Sequence, residues 1–366
     1  MLQNLTGQPV LNTVIKNCDV GGFSWFAATV GDFPGAPLQG DWGANIMWEG
    51  TGGAGFDGIT IVSCKVHGLN GPKSTDDQGI GGFGGGPIKN VTITNTQVWD
   101  IGGGPVGLAS GLAYPPMGNG IGFTGIQTGS ITNCTVHDCG ANFYNEGGGP
   151  AGILLSDCRG VIVSNCEAYR IQPSPWTPGV DRIGFDIDNN CQDCYIDHCL
   201  AHDNFNSGFL LFSNGDPNWT RNGIRNCTSA NNCWGGYTGF GEIGISIPGG
   251  NPALDVTDNL VSNNRVYTGQ LYQNPNQGAV GISITGGGTF TGEIARNTLT
   301  LSADIYGQTT PINARTNSTF TPAVSIHNNT YHIQSGTVNF WWANAQYPSL
   351  AAWQTASGKG QGDVIS

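Results

Sequence analysis

Ile131-Thr132-Asn133-Cys134-Thr135-Val136 is one member of a series that runs through the chain. Its relatives are IKNCDV (Ile15–Val20), IVSCKV (Ile61–Val66), ITNTQV (Ile93–Val98), VSNCEA (Val163–Ala168), IDHCLA (Ile196–Ala201), IRNCTS (Ile224–Ser229), VSNNRV (Val261–Val266), IARNTL (Ile294–Leu299) and IHNNTY (Ile326–Tyr331). Their central residues, Cys18, Cys64, Thr96, Cys134, Cys166, Cys199, Cys227, Asn264, Asn297 and Asn329, recur every 28 to 46 residues. A second column stands ahead of the first in GILLS from Gly152, GFDID from Gly184, GFLLF from Gly208, GISIP from Gly244 and GISIT from Gly281. Each unit reads as a glycine-led strand, a turn, an apolar strand, an Asn turn, a short strand and a variable loop. A single unit of this kind cannot bury its inward side chains. Stacked units can, because each strand then has a partner above and below it. Equivalent positions form ladders, so the expected fold is an all-β solenoid of about ten coils.

Composition agrees. The 366 residues include 60 glycines, and only 10% are charged, which suits short strands and turns better than helices. No apolar run is long enough to span a membrane as a helix. The net charge is −12 with only 13 Lys plus Arg, so nucleic acid is not an expected partner, since binding phosphates takes clustered cations. No signal peptide pattern opens the sequence. Eleven cysteines is an odd number. Most fall on the inward column, where small apolar thiols stack well. Cys158 and Cys191 occupy similar points of adjacent coils, within reach of a disulfide.

The Asn turn and the three-strand coil resemble the pectin-lyase-like superfamily of right-handed parallel β-helix proteins, over nearly the whole chain. The resemblance implies a right-handed, single-stranded parallel β-helix over residues 1–337. It is specific for fold and not for chemistry, because the superfamily includes lyases, hydrolases, epimerases, esterases and phage tailspikes. From Val338 the chain reads as a closing strand and a short amphipathic helix, a capping segment over 338–366. Trp341, Trp342, Tyr347, Leu350 and Trp353 would supply its apolar contacts. The resemblance also implies a secreted or cell-surface protein, monomeric or homotrimeric, whose active site lies on the outer face of the first strand.

Alternation selects side chains on that face independently of the resemblance. In Gly184-Phe185-Asp186-Ile187-Asp188, Phe185 and Ile187 are matched to Ile245 and Ile247 and face the core. Asp186 and Asp188 then face outward, with Arg182 just before them. The same outward column holds Leu154 and Ser156 on the preceding coil. On later coils it holds Asn206, Leu210 and Phe212, then Glu242 and Ser246. Two carboxyls at i and i+2 can divide the roles of acid and base that glycoside hydrolysis needs. Asp186 or Asp188 would protonate the leaving oxygen, and the other would activate water with Glu242. His202-Asp203 and His137-Asp138 are repeated pairs, and a His–Asp pair can orient a general base. The pair of His202 and Asp203 directly follows the acidic strand and is the stronger candidate. Loops supply Trp176, Asp181, Tyr144, Glu146, Trp234 and Tyr237 as a sugar-binding rim, with Leu210 and Phe212 as its floor.

Three functions compete. One is a glycoside hydrolase acting on a neutral or weakly charged polysaccharide or oligosaccharide, with no cofactor. The second is a lyase in which Asp186, Asp188 and Asp203 hold calcium and Arg182 abstracts the proton. The third is a noncatalytic glycan-binding module of adhesin or tailspike type.

Overall fold

A computed structural model describes residues 2–4, 10–21, 43–50, 55–69, 76–84, 86–103, 118–141, 149–172, 181–234, 241–247, 253–263, 279–286, 291–303, 307–314 and 323–366. They divide into two compact units: Met1–Val161 with Asn165–Gly184, and Ile162–Ser164 with Phe185–Ser366.

Each unit is a parallel β-helix in which every turn of chain contributes one strand to each of three sheets. In the first unit the first sheet stacks Gly43–Gly50, Asp76–Gly84, Asn119–Thr124 and Ala151–Ser156. The middle sheet stacks Val10–Lys16, Phe56–Val62, Ile88–Thr94 and Ile126–Thr132. The third stacks Asp19–Gly21, Lys65–Leu69, Gln97–Ile101, Thr135–His137 and Glu167–Tyr169. The second unit repeats the scheme. Its first sheet runs from Phe185 through Phe209–Phe212, Ile243–Ser246, Ala279–Thr285 and Gln308–Ala314 to Phe340–Trp342.

The ladders follow from the repeat. Inward residues stack in register, as in Ile196, Ile224, Val256, Ile294 and Ile326 of the middle sheet, all at most 2% exposed. The turn residue ahead of the Cys column is left-handed in coil after coil, at φ 55° in Asn17, 54° in Asn133 and 53° in Asn226. Asn adopts this conformation readily. Ser63, His198, Asp258 and Arg296 adopt it at the same place.

Amide bonding belongs to the next, inward column. Asn259 Nδ2 donates to Asn297 Oδ1 at 2.9 Å, and Asn297 Nδ2 donates to Asn329 Oδ1 at 3.0 Å. This corrects one coil, where Asn259 and not Asn264 continues the column, with Cys227 N donating to Asn259 Oδ1 at 2.9 Å. Residue 264 lies outside the described residues. None of the eleven cysteines is in a disulfide, Cys158 and Cys191 included.

The glycines that lead the first-sheet strands mark a corner. At Gly79, Gly120 and Gly152 in one unit, and at Gly208 and Gly281 in the other, a Cβ would run into inward side chains of the third sheet. On Gly120 it would lie 2.1 Å from Val136 Cγ1. The backbone turns there from the third sheet into the first, so two consecutive residues face the interior before alternation begins. Gly120→Ala is expected to destabilise the fold by about 1–3 kcal/mol through overpacking, read as a lower urea midpoint.

At the C-terminal end of the second unit, the helix Leu350–Ser357 begins at Ser349, whose Oγ accepts from Ala352 N at 3.2 Å, and stops at left-handed Gly358. Trp353 is fully buried and stacks on Phe340 with 5.4 Å between ring centroids. Trp342 is buried too, while Trp341, Tyr347 and Leu350 are half-buried. Asp363 terminates the amide ladder. Its Oδ1 accepts from Asn329 N at 2.8 Å and its Oδ2 from the Tyr331 hydroxyl at 2.6 Å. Burial raises the Asp363 carboxyl above the ordinary range, against the hydrogen bonds from Tyr331 and Asn329 and the nearby His327, which lower it. A carboxyl raised in the folded state makes that state bind more protons than the unfolded chain. Its contribution to stability is full below the unfolded pKa and is lost as pH rises through the folded one. Asp363→Asn is expected to flatten the fall of the melting temperature above the ordinary Asp range, measured by thermal melts at stepped pH.

Candidate functional site

The candidate acids lie in the second unit. Phe185 and Ile187 are fully buried, and Phe185 stacks on Phe209 with 5.1 Å between centroids. Register places Asp186 beside Leu210, and Leu210 beside Gly244, then Ser283, Asn313 and Trp341. This is the outer column of the first sheet. It is nearly covered, with Asp186 at 6% exposure and Leu210, Ser283 and Asn313 at 1% each. These side chains are therefore covered and do not form an open wall. Asn313 Nδ2 makes a long 3.5 Å contact with Ser283 Oγ, and Asn313 Oδ1 is a buried acceptor with no hydrogen-bond partner.

Asp188 stands one residue past the strand, which ends at Ile187. It is half-buried, and its Oδ1 accepts from Asn189 N at 2.7 Å. Its main-chain carbonyl accepts from Trp219 Nε1 at 3.1 Å, and Trp219 is 1% exposed. Phe212, half-buried, continues the floor one residue beyond Leu211. Asn189 Oδ1 accepts from Asn214 N at 2.8 Å and fixes the turn above Asp188. The sequence reading missed Trp219 and Asn189, because both act through turns that have no repeat.

Glu242 is a correction. Register pairs Ile243 with Phe209, so Glu242 falls in the column of corner glycines that includes Gly208. Its side chain enters the interior at 0% exposure. Oε1 accepts from Asn232 N at 2.9 Å, and Oε2 accepts from Asn232 Nδ2 and from Ser229 Oγ, each at 2.7 Å. Asn232 Oδ1 in turn accepts from Asn204 N and Nδ2 at 3.0 and 2.8 Å. The sequence alignment had matched Gly244 to Gly208, two residues off. Parity survived that slip, but the position of the corner did not. Glu242 is an internal structural carboxylate with no path to water on the outer face.

Arg182 lies ahead of the acidic strand. It belongs to the first unit, carries a left-handed φ of 77° and is fully buried. Its N–H donates to Pro150 O at 2.8 Å. Burial pushes its guanidinium down to about 10, with Asp181 opposing. Asp181, half-buried in the same unit, lies against Gly149.

His202 Nδ1 meets Asp203 Oδ2 at 2.7 Å, the same geometry as His137 with Asp138. The recurrence has a structural reason in the first unit. There His67, Trp99, His137 and Tyr169 stack along the outer face of the third sheet at 4.3, 5.9 and 4.8 Å. His202 and Asp203 lie on the third sheet and in the loop after it, whereas Asp186 lies on the first sheet. Trp234 is half-buried, donates from Nε1 to Asp203 O at 3.1 Å and packs edge-on against Phe205 at 4.8 Å, so it holds the loop. Trp176, Tyr144, Glu146 and Tyr237 lie outside the described residues. Among the described residues, no group of three or more His, Cys, Asp or Glu is placed to hold a metal ion, and Asp186, Asp188 and Asp203 form no such group.

The three sets of parallel ladders in each unit are those of a parallel β-helix. Residues 112–245 match the family described as Right handed beta helix region. No curated protein matches the chain. Among solved structures it is similar to the tailspike protein gp49 from Pseudomonas phage LKA1, at 18% identity and a TM-score of 0.36, covering 81% of this chain and 46% of that one. It is also similar to pectate lyase Pel9A, at 14% identity and a TM-score of 0.41, covering 92% of this chain and 70% of that one. The chain thus spans less than half the length of the tailspike. The statement of fold rests on the three sets of parallel ladders.

Proposed function

We propose that the chain binds a neutral or weakly charged polysaccharide along the outer column of the first sheet in the Phe185–Ser366 unit, and hydrolyses it with Asp186 and Asp188. The observation that carries this reading is a carboxylate, Asp186, on the outer column of a strand whose Phe185 and Ile187 face the core, nearly covered and in register with Leu210. Enclosure strengthens electrostatic interactions with a bound sugar and limits stray water. Asp188, just past the strand end, supplies the second carboxyl that hydrolysis needs. The low count of cations favours an uncharged substrate over a polyuronate. A protein with this activity would work outside the cell or at a surface.

The test is incubation with a panel of neutral and uronic polysaccharides, following reducing ends and the absorbance of unsaturated uronates. Reducing ends without that absorbance are expected. Absorbance would replace hydrolysis with elimination. Binding without any cleavage would leave a noncatalytic module.

A further inference from the structure

Asn-Gly occurs at Asn70, Asn119, Asn214 and Asn222. Residue 70 lies outside the described residues. An asparagine ahead of glycine can react with its own backbone, because glycine has no Cβ to shield the next amide nitrogen. The fold treats the three described steps differently. Asn119 opens the strand Asn119–Thr124 at 1% exposure, and its Oδ1 accepts from Ala151 N at 2.8 Å. Asn222 is fully buried. Its Oδ1 accepts from Cys194 N at 3.0 Å, and its Nδ2 donates to Cys191 O at 2.9 Å. The nitrogen after it, Gly223 N, donates to Cys194 O at 3.0 Å. Asn214 is exposed, in the turn after the strand Phe209–Phe212. Gly215 follows at a left-handed φ of 86°, and its N–H donates to the Ser213 hydroxyl at 3.2 Å, a long bond to a group that rotates. We propose that Asn214–Gly215 is a site of spontaneous covalent modification, where the asparagine cyclises onto the glycine nitrogen and reopens with water to aspartate and isoaspartate.

The chemistry balances. Gly215 N attacks Asn214 Cγ, and a C–N bond forms. The bond from Cγ to Nδ2 breaks, and ammonia leaves with the proton lost by Gly215 N. Water then opens the cyclic imide. Breaking the bond from nitrogen to Cγ gives aspartate. Breaking the bond from nitrogen to the main-chain carbonyl carbon gives isoaspartate, whose chain runs through Cβ and Cγ. Nothing is oxidised or reduced, and one amide becomes one carboxylate. At Asn222 the same step would strip the amide of two buried partners and lift Gly223 N out of its ladder. At Asn214 it displaces one hydroxyl. The turn has a place in the wider structure. Asn214 N donates to Asn189 Oδ1 at 2.8 Å, Ser213 Oγ also accepts from Asp216 N at 3.2 Å, and the segment ends at Trp219, whose Nε1 donates to Asp188 O at 3.1 Å. Conversion therefore adds a negative charge, and in isoaspartate an extra main-chain carbon, within the loop that braces Asp188. The site does not depend on Asp186 and Asp188 being catalytic.

The test ages the intact folded chain in mildly alkaline buffer and follows aspartate and isoaspartate at each position by peptide mapping. Asn214 is expected to convert at least tenfold faster than Asn119 or Asn222. In denaturant the three rates should converge, because the fold and not the dipeptide separates them. Asn214→Gln is expected to give no product at that position, since the longer side chain does not close the same ring. The proposal is overturned if Asn119 or Asn222 converts as fast as Asn214 in the folded chain, if the difference persists in denaturant, or if Asn214 stays intact while the unfolded chain reacts there.

Discussion

Glu242→Ala is expected to destabilise the second unit by about 3–5 kcal/mol, seen as a lower midpoint in chemical denaturation. The estimate follows from what the carboxylate leaves behind. Asn232 loses the acceptor for its main-chain N–H and one for its side-chain amide, and Ser229 loses a partner, all at 1% exposure or less. A buried donor without an acceptor costs about 1–3 kcal/mol, and truncating a large buried side chain to alanine leaves a cavity that adds about 2 kcal/mol or more. Glu242→Gln separates the contributions. It keeps one carbonyl oxygen for Asn232 N and turns an amide toward Ser229, whose hydroxyl can accept, while Asn232 Nδ2 loses this acceptor and keeps those at Ala201 O and Ser229 Oγ. About 1 kcal/mol is expected, the worth of a single hydrogen bond. If the alanine variant lost less than the glutamine variant, the hydrogen bonds would not be what anchors this corner. Polysaccharide binding by the folded glutamine variant is expected to match the wild type, because the carboxylate faces away from the outer column.

Glu242 also shows where sequence reasoning stopped. The solenoid was legible because stacking asks for the same kind of residue at the same point of each coil, and Cys134, Cys166, Cys199 and Cys227 record that demand directly. The outward direction of Asp186 was legible too, since alternation depends only on odd and even positions. A match wrong by two residues leaves alternation intact, so nothing in the text of GISIP betrays the error. Only the corner reveals it. At Gly208 there is no room for a side chain, whereas at Glu242 the chain places one inside and surrounds it with donors. Burial of Arg182 was not legible either, because it sits at a left-handed residue before the strand begins, where alternation does not apply. Asn264 was read from the likeness of VSNNRV to the rest of the series, and the amide ladder puts Asn259 in the column instead. The left-handed turn was read from asparagines, yet Ser63, His198, Asp258 and Arg296 also adopt it, so the position is set by the coil more than by the residue.

Asp186→Asn is expected to lower kcat on the preferred polysaccharide by about 10²–10⁴-fold, the range for removing a positioned acid or base. The substitution preserves shape and leaves the strand pairing of Phe185 and Ile187 untouched, so the melting temperature should move little. Binding of oligosaccharide should persist, because Leu210 and Phe212 remain in place. Asp188→Asn is expected to give a loss of similar size, but it should also perturb the local turn, since Asp188 Oδ1 accepts from Asn189 N. The pair can be divided by pH. If one carboxyl acts protonated and the other ionised, the wild type gives a bell-shaped profile and each variant loses one limb of it. Retained activity in Asp186→Asn, with an unchanged profile, would remove this residue from the chemistry and leave the outer column as a binding surface alone. The anomeric configuration of the first product, followed by NMR, then tells whether Asp188 attacks the sugar or activates water, because retention requires a covalent intermediate and inversion does not.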